Sequence, residues 1–306
     1  MDVSKQRLDA CCVGEKRAEE SFANDAEGAA ALAAFCRRHG AELCVMEASG
    51  GLERGVMAGL RAEGVACALA SARQVRGFAR AMGFLEKTDA IDAGVIARFA
   101  AARGLQPLPP PGPEALRLKA LVTRLRQVTG DLTVQKQRIA SAHDAEMADS
   151  IREVIALLVR QSKSLEGEIA SLIDDDPLWA RLAGACREVK GVAGRTIAHL
   201  MAFMPELGRY SGKAVAKLAG LAPLADDSGK RNGPRRIAGG RAPVRSILFL
   251  VAAIAARFHK GLGEFQKRLA KAGKAKMTIR IALARKLLVI LNAKARDARA
   301  THAIAT

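Results

Sequence analysis

Two carboxylates three positions apart, Asp89 and Asp92 in Lys87-Thr88-Asp89-Ala90-Ile91-Asp92, open an apolar helical run in a chain of 306 residues with a net charge of +18. On a helix, positions i and i+3 share a face, so this pair could hold a hard divalent cation. The same residues could instead only start the helix. Thr88 is a good N-cap, and acidic side chains complement the positive end of the helix dipole. Carboxylates elsewhere in the chain must decide.

Two more have the setting such a site needs. Asp2 lies on the opening strand, and Glu47 directly follows the apolar run 43–46. Carboxylates brought from separate elements to one sheet edge can hold two Mg²⁺ ions about 4 Å apart across a scissile phosphate. Mn²⁺ favours the same oxygen donors and is the alternative ion. Asp2, Glu47, Asp89 and Asp92 are therefore the candidate metal ligands.

The elements that would carry them follow from hydrophobic period. Residues 8–13 and 20–23 read as strands, 27–38 as a helix, 43–46 as a strand and 52–62 as a helix. A strand at 65–69 and helical stretches at 71–81 and 88–102 complete the series. Three strands followed by helix, strand, helix, strand and helix make an α/β layer arrangement in the order of the ribonuclease-H-like fold. Asp2 directly follows Met1, so its strand is expected to be short, with an unpaired edge that would loosen the aspartate.

Residues 106–113 hold five prolines in eight positions, a stiff spacer that continues neither helix nor sheet. Beyond it Leu118, Leu121, Leu125, Val128, Leu132 and Ile139 form one seam, with Gln135 at a core position. Ile151, Ile155, Leu158, Ser162, Leu165, Ile169 and Leu172 form a second. Two such runs around a polar Ser-Ala-His-Asp stretch predict a helical hairpin or an intermolecular coiled coil, with ordinary bundle packing equally open. The expected organisation is a mixed-sheet metal-binding domain (1–105), a linker (106–113), a coiled-coil or hairpin segment (114–180) and a mainly helical basic domain (181–306).

Charge is distributed unevenly: residues 1–200 carry a net +1 and residues 201–306 a net +17. That asymmetry is the footprint of a nucleic-acid-binding surface in the last third. No run of about 18 apolar residues spans a bilayer and the first residues do not read as a signal peptide, so the expectation is a cytoplasmic, nucleoid-associated protein with no membrane partner. The six cysteines show no Cys-x-x-Cys spacing and are expected to be buried thiols. Gly191-Val192-Ala193-Gly194 followed by Arg195 could present backbone N–H groups to a phosphate, though ordinary helix punctuation accounts for it equally well.

The ordered motifs Asp2-Val3-Ser4-Lys5 with Leu8-Asp9-Ala10, 46–53 (Met-Glu-Ala-Ser-Gly-Gly-Leu-Glu) and 87–93 (Lys-Thr-Asp-Ala-Ile-Asp-Ala) resemble those of the DEDD transposases. These are bacterial insertion-sequence recombinases with a RuvC-like domain, guided by a bridge RNA. The resemblance continues through 190–196, 218–223, Ser228-Gly229-Lys230 and 284–288, in the family's order, over nearly the whole chain.

This resemblance implies a RuvC-like domain, a Mg²⁺-dependent acidic cluster and a serine nucleophile in the Ser-Gly loop, here Ser228. Lys230, Arg231, Arg235, Arg236 and Arg241 surround that loop and would hold phosphate. A dimer assembling to a tetramer, a DNA substrate and a guide RNA are further implied partners. Two other functions stay open: a metal-dependent nuclease or junction resolvase with water as the nucleophile, and a decayed transposase that only binds nucleic acid. In the family the Ser-Gly loop is followed by Lys-Arg-Gly; here Ala238-Gly239-Gly240-Arg241 stands instead.

Overall fold

A computed structural model describes residues 1–14, 17–48, 50–84, 89–229 and 231–305; of residues 89–91, 231–232 and 305 it describes the backbone alone. The chain divides into two compact units, Met1–Pro110 and Pro111–Thr306.

The first unit is a mixed α/β layer structure. Strands β1 (Asp2–Val3), β2 (Arg7–Cys12) and β3 (Ala18–Ala23) form an antiparallel sheet. Helix α1 (Ala26–Arg38) follows, capped by Asp25, whose carboxylate accepts from Gly28 N at 2.8 Å. Then come β4 (Cys44–Glu47), α2 (Glu53–Ala62), β5 (Cys67–Ala70), α3 (Ala72–Ala81) and α4 (Asp89–Arg103). β4 and β5 pair in parallel, Cys44 with Cys67 through Glu47 with Ala70. The α-amino nitrogen of Met1 donates to Val45 O at 2.9 Å, which joins the two sheets in the order β3-β2-β1-β4-β5. This is a ribonuclease-H-like topology.

Core formation explains that order. Leu8, Leu32, Met46 and Leu60, from β2, α1, β4 and α2, are fully buried in one cluster. Each such side chain contributes roughly 1.5–3 kcal/mol of transfer free energy. On the other face Val45, Ala68, Val75, Ile96 and Phe99 unite β4 and β5 with α3 and α4.

β1 is two residues long and pairs only with Leu8 and Asp9, whereas all six residues of β2 pair with β3. A cavity of about 440 Å³ lies beside the rest of β2, between Ala10–Gly14 and residues 42–45. Leu32, Phe35, Cys36 and His39 of α1 and Ala97, Ala100 and Ala101 of α4 also line it.

The second unit is mostly helical. α5 (Pro113–Ala140) and α6 (Ala145–Asp174) are joined by residues 141–144 (Ser-Ala-His-Asp), and Asp144 caps α6 by accepting from Met147 N at 2.9 Å. Arg117, near the start of α5, donates to Glu168, near the end of α6, at 2.9 Å, so the helices run antiparallel. The hairpin is about 42 Å long at 1.5 Å per residue. Leu118, Leu121 and Leu125 are buried against the body of the unit and Val128 is buried as well, while Leu132, Ile139, Ile151 and Ile155 towards the tip are only half-buried. Pro113, expected at the end of the spacer, instead opens α5, where its missing N–H has no helical partner to lose.

The body contains α7 (Pro177–Arg187), α8 (Gly194–Phe203) and α9 (Gly212–Leu218). Two small hairpin tiers follow: β6 (Pro223–Leu224) with β9 (Arg236–Ile237), and β7 (Asp227–Ser228) with β8 (Arg231–Asn232). The chain then continues through α10 (Ala242–Phe258), α11 (Lys260–Lys271) and α12 (Lys276–Ala305). α12 is the central helix, burying Leu283, Leu287, Leu288, Leu291 and Ala295. Its buried Asn292 accepts from Gly208 N at 2.8 Å and donates to Tyr210 O at 2.9 Å. α12 runs on to Ala305, and Arg299 donates to Leu207 O at 2.8 Å and ties its alanine-rich end down. Among the described residues no single helix is long and apolar enough to cross a membrane.

All six cysteines are free thiols. Burial pushes Cys67 and Cys186 up to about 11, which keeps both protonated and unreactive near neutrality.

His199 on α8 is the one buried side chain, among the described residues, with an orphaned polar atom: its Nε2 has no hydrogen-bond partner. The ring packs 4.8 Å from Phe203. Burial, with a smaller contribution from Arg126, lowers its pKa below the ordinary 6.5, against the opposing effect of a hydrogen bond to the Pro243 backbone. The folded imidazole therefore binds its proton less tightly than the unfolded one. Stability is complete above about pH 6.5 and is lost as pH falls through the lower folded value. Melting temperatures followed from pH 7.5 to 5 are expected to drop in the native chain and to flatten over that window in His199→Gln. An unchanged profile in the variant would assign the pH dependence to other groups.

Candidate active site

Three of the four candidate carboxylates sit at or near element ends that meet at one small cavity. Asp2 opens β1, Glu47 closes β4 and Asp92 lies in the first turn of α4. The three line a single cavity of about 110 Å³, together with Val75, Arg76 and Ala79 of α3 and Val95 of α4. Asp89 begins α4 one turn before Asp92; its side chain, and residues Glu86, Lys87 and Thr88 with the predicted N-cap, lie outside the described residues.

The loop after Glu47 shows why its glycines are there. Gly50 and Gly51 have φ of 80° and 123°, conformations that side-chain-bearing residues rarely adopt. Gly51 N donates to the buried carboxylate of Glu53 at 2.9 Å, which turns the chain sharply from β4 into α2. Ser49 of that motif lies outside the described residues.

Sequence pattern does not single out Asp9 as a functional residue, yet it stands directly opposite Asp2 in the β1–β2 register. It is buried and accepts from Arg7 Nε at 2.9 Å and Ser21 Oγ at 2.5 Å. Its charge is thus held by partners on β2 and β3, as a carboxylate facing a like-charged neighbour requires. The only available signal is its position in Leu8-Asp9-Ala10.

The donor set of the small cavity suits a hard cation: oxygen ligands from three separate elements in a polar recess. Among the described residues, however, no three His, Cys, Asp or Glu side chains approach closely enough to hold one ion.

In the second unit Ser228 ends β7 and is exposed. β7 and β8 are joined by Gly229, with φ of 53°, and Lys230, which lies outside the described residues as do the side chains of Arg231 and Asn232. Arg235 Nη2 donates to Asp227 at 2.7 Å beside the serine. Arg236 is exposed on β9.

The base of this loop is stapled by close backbone approach. A Cβ on Gly220 would lie 2.2 Å from Gly239 O, and one on Gly240 would lie 2.2 Å from Gly220 N. The Ala-Gly-Gly-Arg sequence that replaces Lys-Arg-Gly therefore fits a tight packing role. Arg241 N donates to Leu218 O at 2.8 Å, and its guanidinium grips Glu206 through two bonds of 2.5 and 2.6 Å while donating to Phe203 O at 3.0 Å. Burial pushes the Glu206 carboxyl up, but the bonds from Arg241 outweigh it and hold the pKa below its usual value. Arg241, expected to hold phosphate, has much of its donor capacity committed within the fold. A hairpin bearing an exposed serine thus projects from a rigid root.

The 191–195 motif divides in a similar way. Gly191 has φ of 90°, and a Cβ there would meet Ala255 Cα at 2.7 Å, so its glycine is required by packing against α10. Gly194 opens α8 with free space around it. Arg195 forms an ion pair with Glu166 and donates to Ser162 Oγ of α6 at 3.0 Å. Gly191→Ala is expected to destabilise the unit by about 3 kcal/mol, from left-handed strain and overpacking together. Gly194→Ala should leave stability equal or slightly raised. Denaturant unfolding compares the two directly, and equal stability for both would remove the packing explanation for Gly191.

Residues 1–146 match the model of transposases of the DEDD IS110 type, and residues 184–276 match that of the transposase IS116/IS110/IS902 family. Pilin gene-inverting proteins from Moraxella bovis and Moraxella lacunata are each 25% identical to the chain over 311 residues. These alignments cover 98% of the chain and 95% of each relative.

Proposed function

We propose, on the premise that this chain belongs to the IS110/IS116/IS902 family of DEDD transposases, that it cuts and rejoins DNA with unit 1 carboxylates and the Ser228 hydroxyl. The coarser statement, a transposase or recombinase acting on DNA, follows from the family. The observation that supports the finer one is the meeting of Asp2, Glu47 and Asp92, from three elements, at one small polar cavity.

Asp2, Glu47 and Asp92, with Asp89 one turn earlier, would hold Mg²⁺ or Mn²⁺, whose bound charge stabilises negative charge developing at a phosphate. Ser228 Oγ attacks phosphorus: the Oγ–P bond forms, the P–O bond to the departing strand breaks, the hydroxyl proton passes to water, and the departing oxygen takes a proton. Attack by a strand-end hydroxyl then reverses the sequence and frees the serine, so phosphodiester energy is conserved. Arg231, Arg235 and Arg236, with Lys230, hold the phosphate beside Ser228. The net +17 of residues 201–306 serves the DNA backbone and a guide RNA. A dimer that assembles to a tetramer holds the strands together, with the hairpin tip as the contact between copies.

Purified chain, element-end DNA and its flanking RNA transcript should give rejoined products only with Mg²⁺ or Mn²⁺ present. Rejoining with the RNA left out would remove the guide from this reading.

A second reading is favoured by the spacing of the described carboxylates, which bring no three close enough to share an ion. In it the chain has lost its chemistry and binds nucleic acid through residues 201–306; a metal-dependent nuclease or resolvase with water in place of serine needs the same carboxylates as the first reading and differs from it only at Ser228. The lost-chemistry case predicts steeply salt-dependent binding that is indifferent to Asp92→Asn, with no Mg²⁺-dependent product on any DNA.

A further inference from the structure

Helix α3 has two contrasting sides. Val75 and Ala79 are buried, and Phe78 meets Phe99 of α4 edge-on at 5.7 Å between ring centres. Arg73, Arg76 and Arg80 are exposed. Steps of three and four put these arginines on one face of the helix, about 10.5 Å from first to last. Arg76 also lines the cavity formed by Asp2, Glu47 and Asp92.

Folding does not account for this row. Like charges one turn apart destabilise an isolated helix by a few tenths of a kcal/mol per pair. The ion pairs of unit 1 among the described residues, Arg7–Asp9, Arg17–Glu19, Arg37–Glu63 and Arg38–Glu20, use none of the three. With the first 200 residues nearly neutral overall, the row is a local concentration of positive charge beside a carboxylate recess.

We propose that the Arg73, Arg76 and Arg80 face of α3 is the track that holds the DNA strand entering the carboxylate cavity. This rests on reading that cavity as the place where a phosphodiester is cut. Phosphates advance about 3.4 Å along the duplex axis and farther along the strand itself, so the row is long enough to meet at least two of them. A guanidinium fork binds phosphate oxygens in pairs and stays charged at any physiological pH. Carboxylates alone would repel the strand; the arginine row offsets that repulsion and fixes the path, with Arg76 holding the phosphate nearest the carboxylates.

The test is the salt dependence of duplex DNA binding by the full chain, measured without divalent metal and therefore independent of cutting. Arg73→Ala/Arg80→Ala should reduce the slope of log Kobs against log[salt] by about 1.8, or 0.9 for each phosphate no longer neutralised. An equal charge loss on the hairpin, Arg117→Ala/Arg152→Ala, should change it far less. Melting temperature should stay level or rise in the α3 variant, which excludes misfolding as the cause. An unchanged slope, or an equal fall in both double variants, overturns the track even if cutting is active. A selective fall in a chain that cuts no DNA supports the track and removes the cutting reading instead.

Discussion

Ser228→Ala is expected to leave DNA binding intact while abolishing rejoined products and any protein–DNA adduct that survives denaturing electrophoresis. The loss should be on the order of 10⁴-fold or more, the scale seen when a nucleophile is removed from a group of residues acting as a unit. Ser228 is exposed at the end of a two-residue strand, so its truncation should change folding stability by less than about 0.5 kcal/mol. A melting curve that overlays the native one makes the loss chemical. If the alanine protein still rejoined strands, the serine would have no covalent role; if only cutting survived, water would be the nucleophile.

Glu47→Gln and Asp92→Asn should each reduce Mg²⁺-dependent cutting by on the order of 10³-fold. Both changes keep side-chain shape and remove one negative charge from a recess shared by three carboxylates. Repulsion within the recess should therefore fall in Asp92→Asn, and in the presence of a chelator that variant should melt at or slightly above the native temperature. Mg²⁺ should raise the melting temperature of the native chain by mass action and do so less in either variant. Equal stabilisation of all three proteins would put the ion elsewhere.

The acidic pair at Asp89 and Asp92 was legible as a helix start, and Glu47 was legible as the residue that follows the apolar run 43–46, whereas the strand under Asp2 came from the order of the fold and not from hydrophobic period. Convergence was not, because no local pattern encodes the pairing of β1 with β2 or its seating beside Val45. Asp9 shows the same limit: only strand register places it opposite Asp2. The basic residues of the last third show another. Composition counts Arg241 as positive charge, whereas the fold commits it to Glu206 and Phe203. Arg280 likewise lies over the Phe249 ring at 4.3 Å, and Lys286 over Phe265 at 4.4 Å. Net charge read from sequence therefore overstates the number of cations available to a partner. Conversely, α3 was legible as a helix, but its arginine row gained meaning only beside the carboxylate recess. The hairpin seams were the most readable element, because a repeat of three and four needs no distant partner to identify it.

The α-amino group of Met1 is buried, donates to Val45 O, and has its pKa lowered by that burial. It is therefore a reporter of local opening. In a chain that begins at Met1, an amine-directed acylating reagent reaches this nitrogen when β1 separates from β4, and β1 carries Asp2 on the next residue. Labelling rates at the terminus, compared with those of surface lysines, would measure how often that aspartate leaves its station. A nucleic acid or divalent ion that steadies the strand would show itself as protection of the terminus, with no need for a completed reaction.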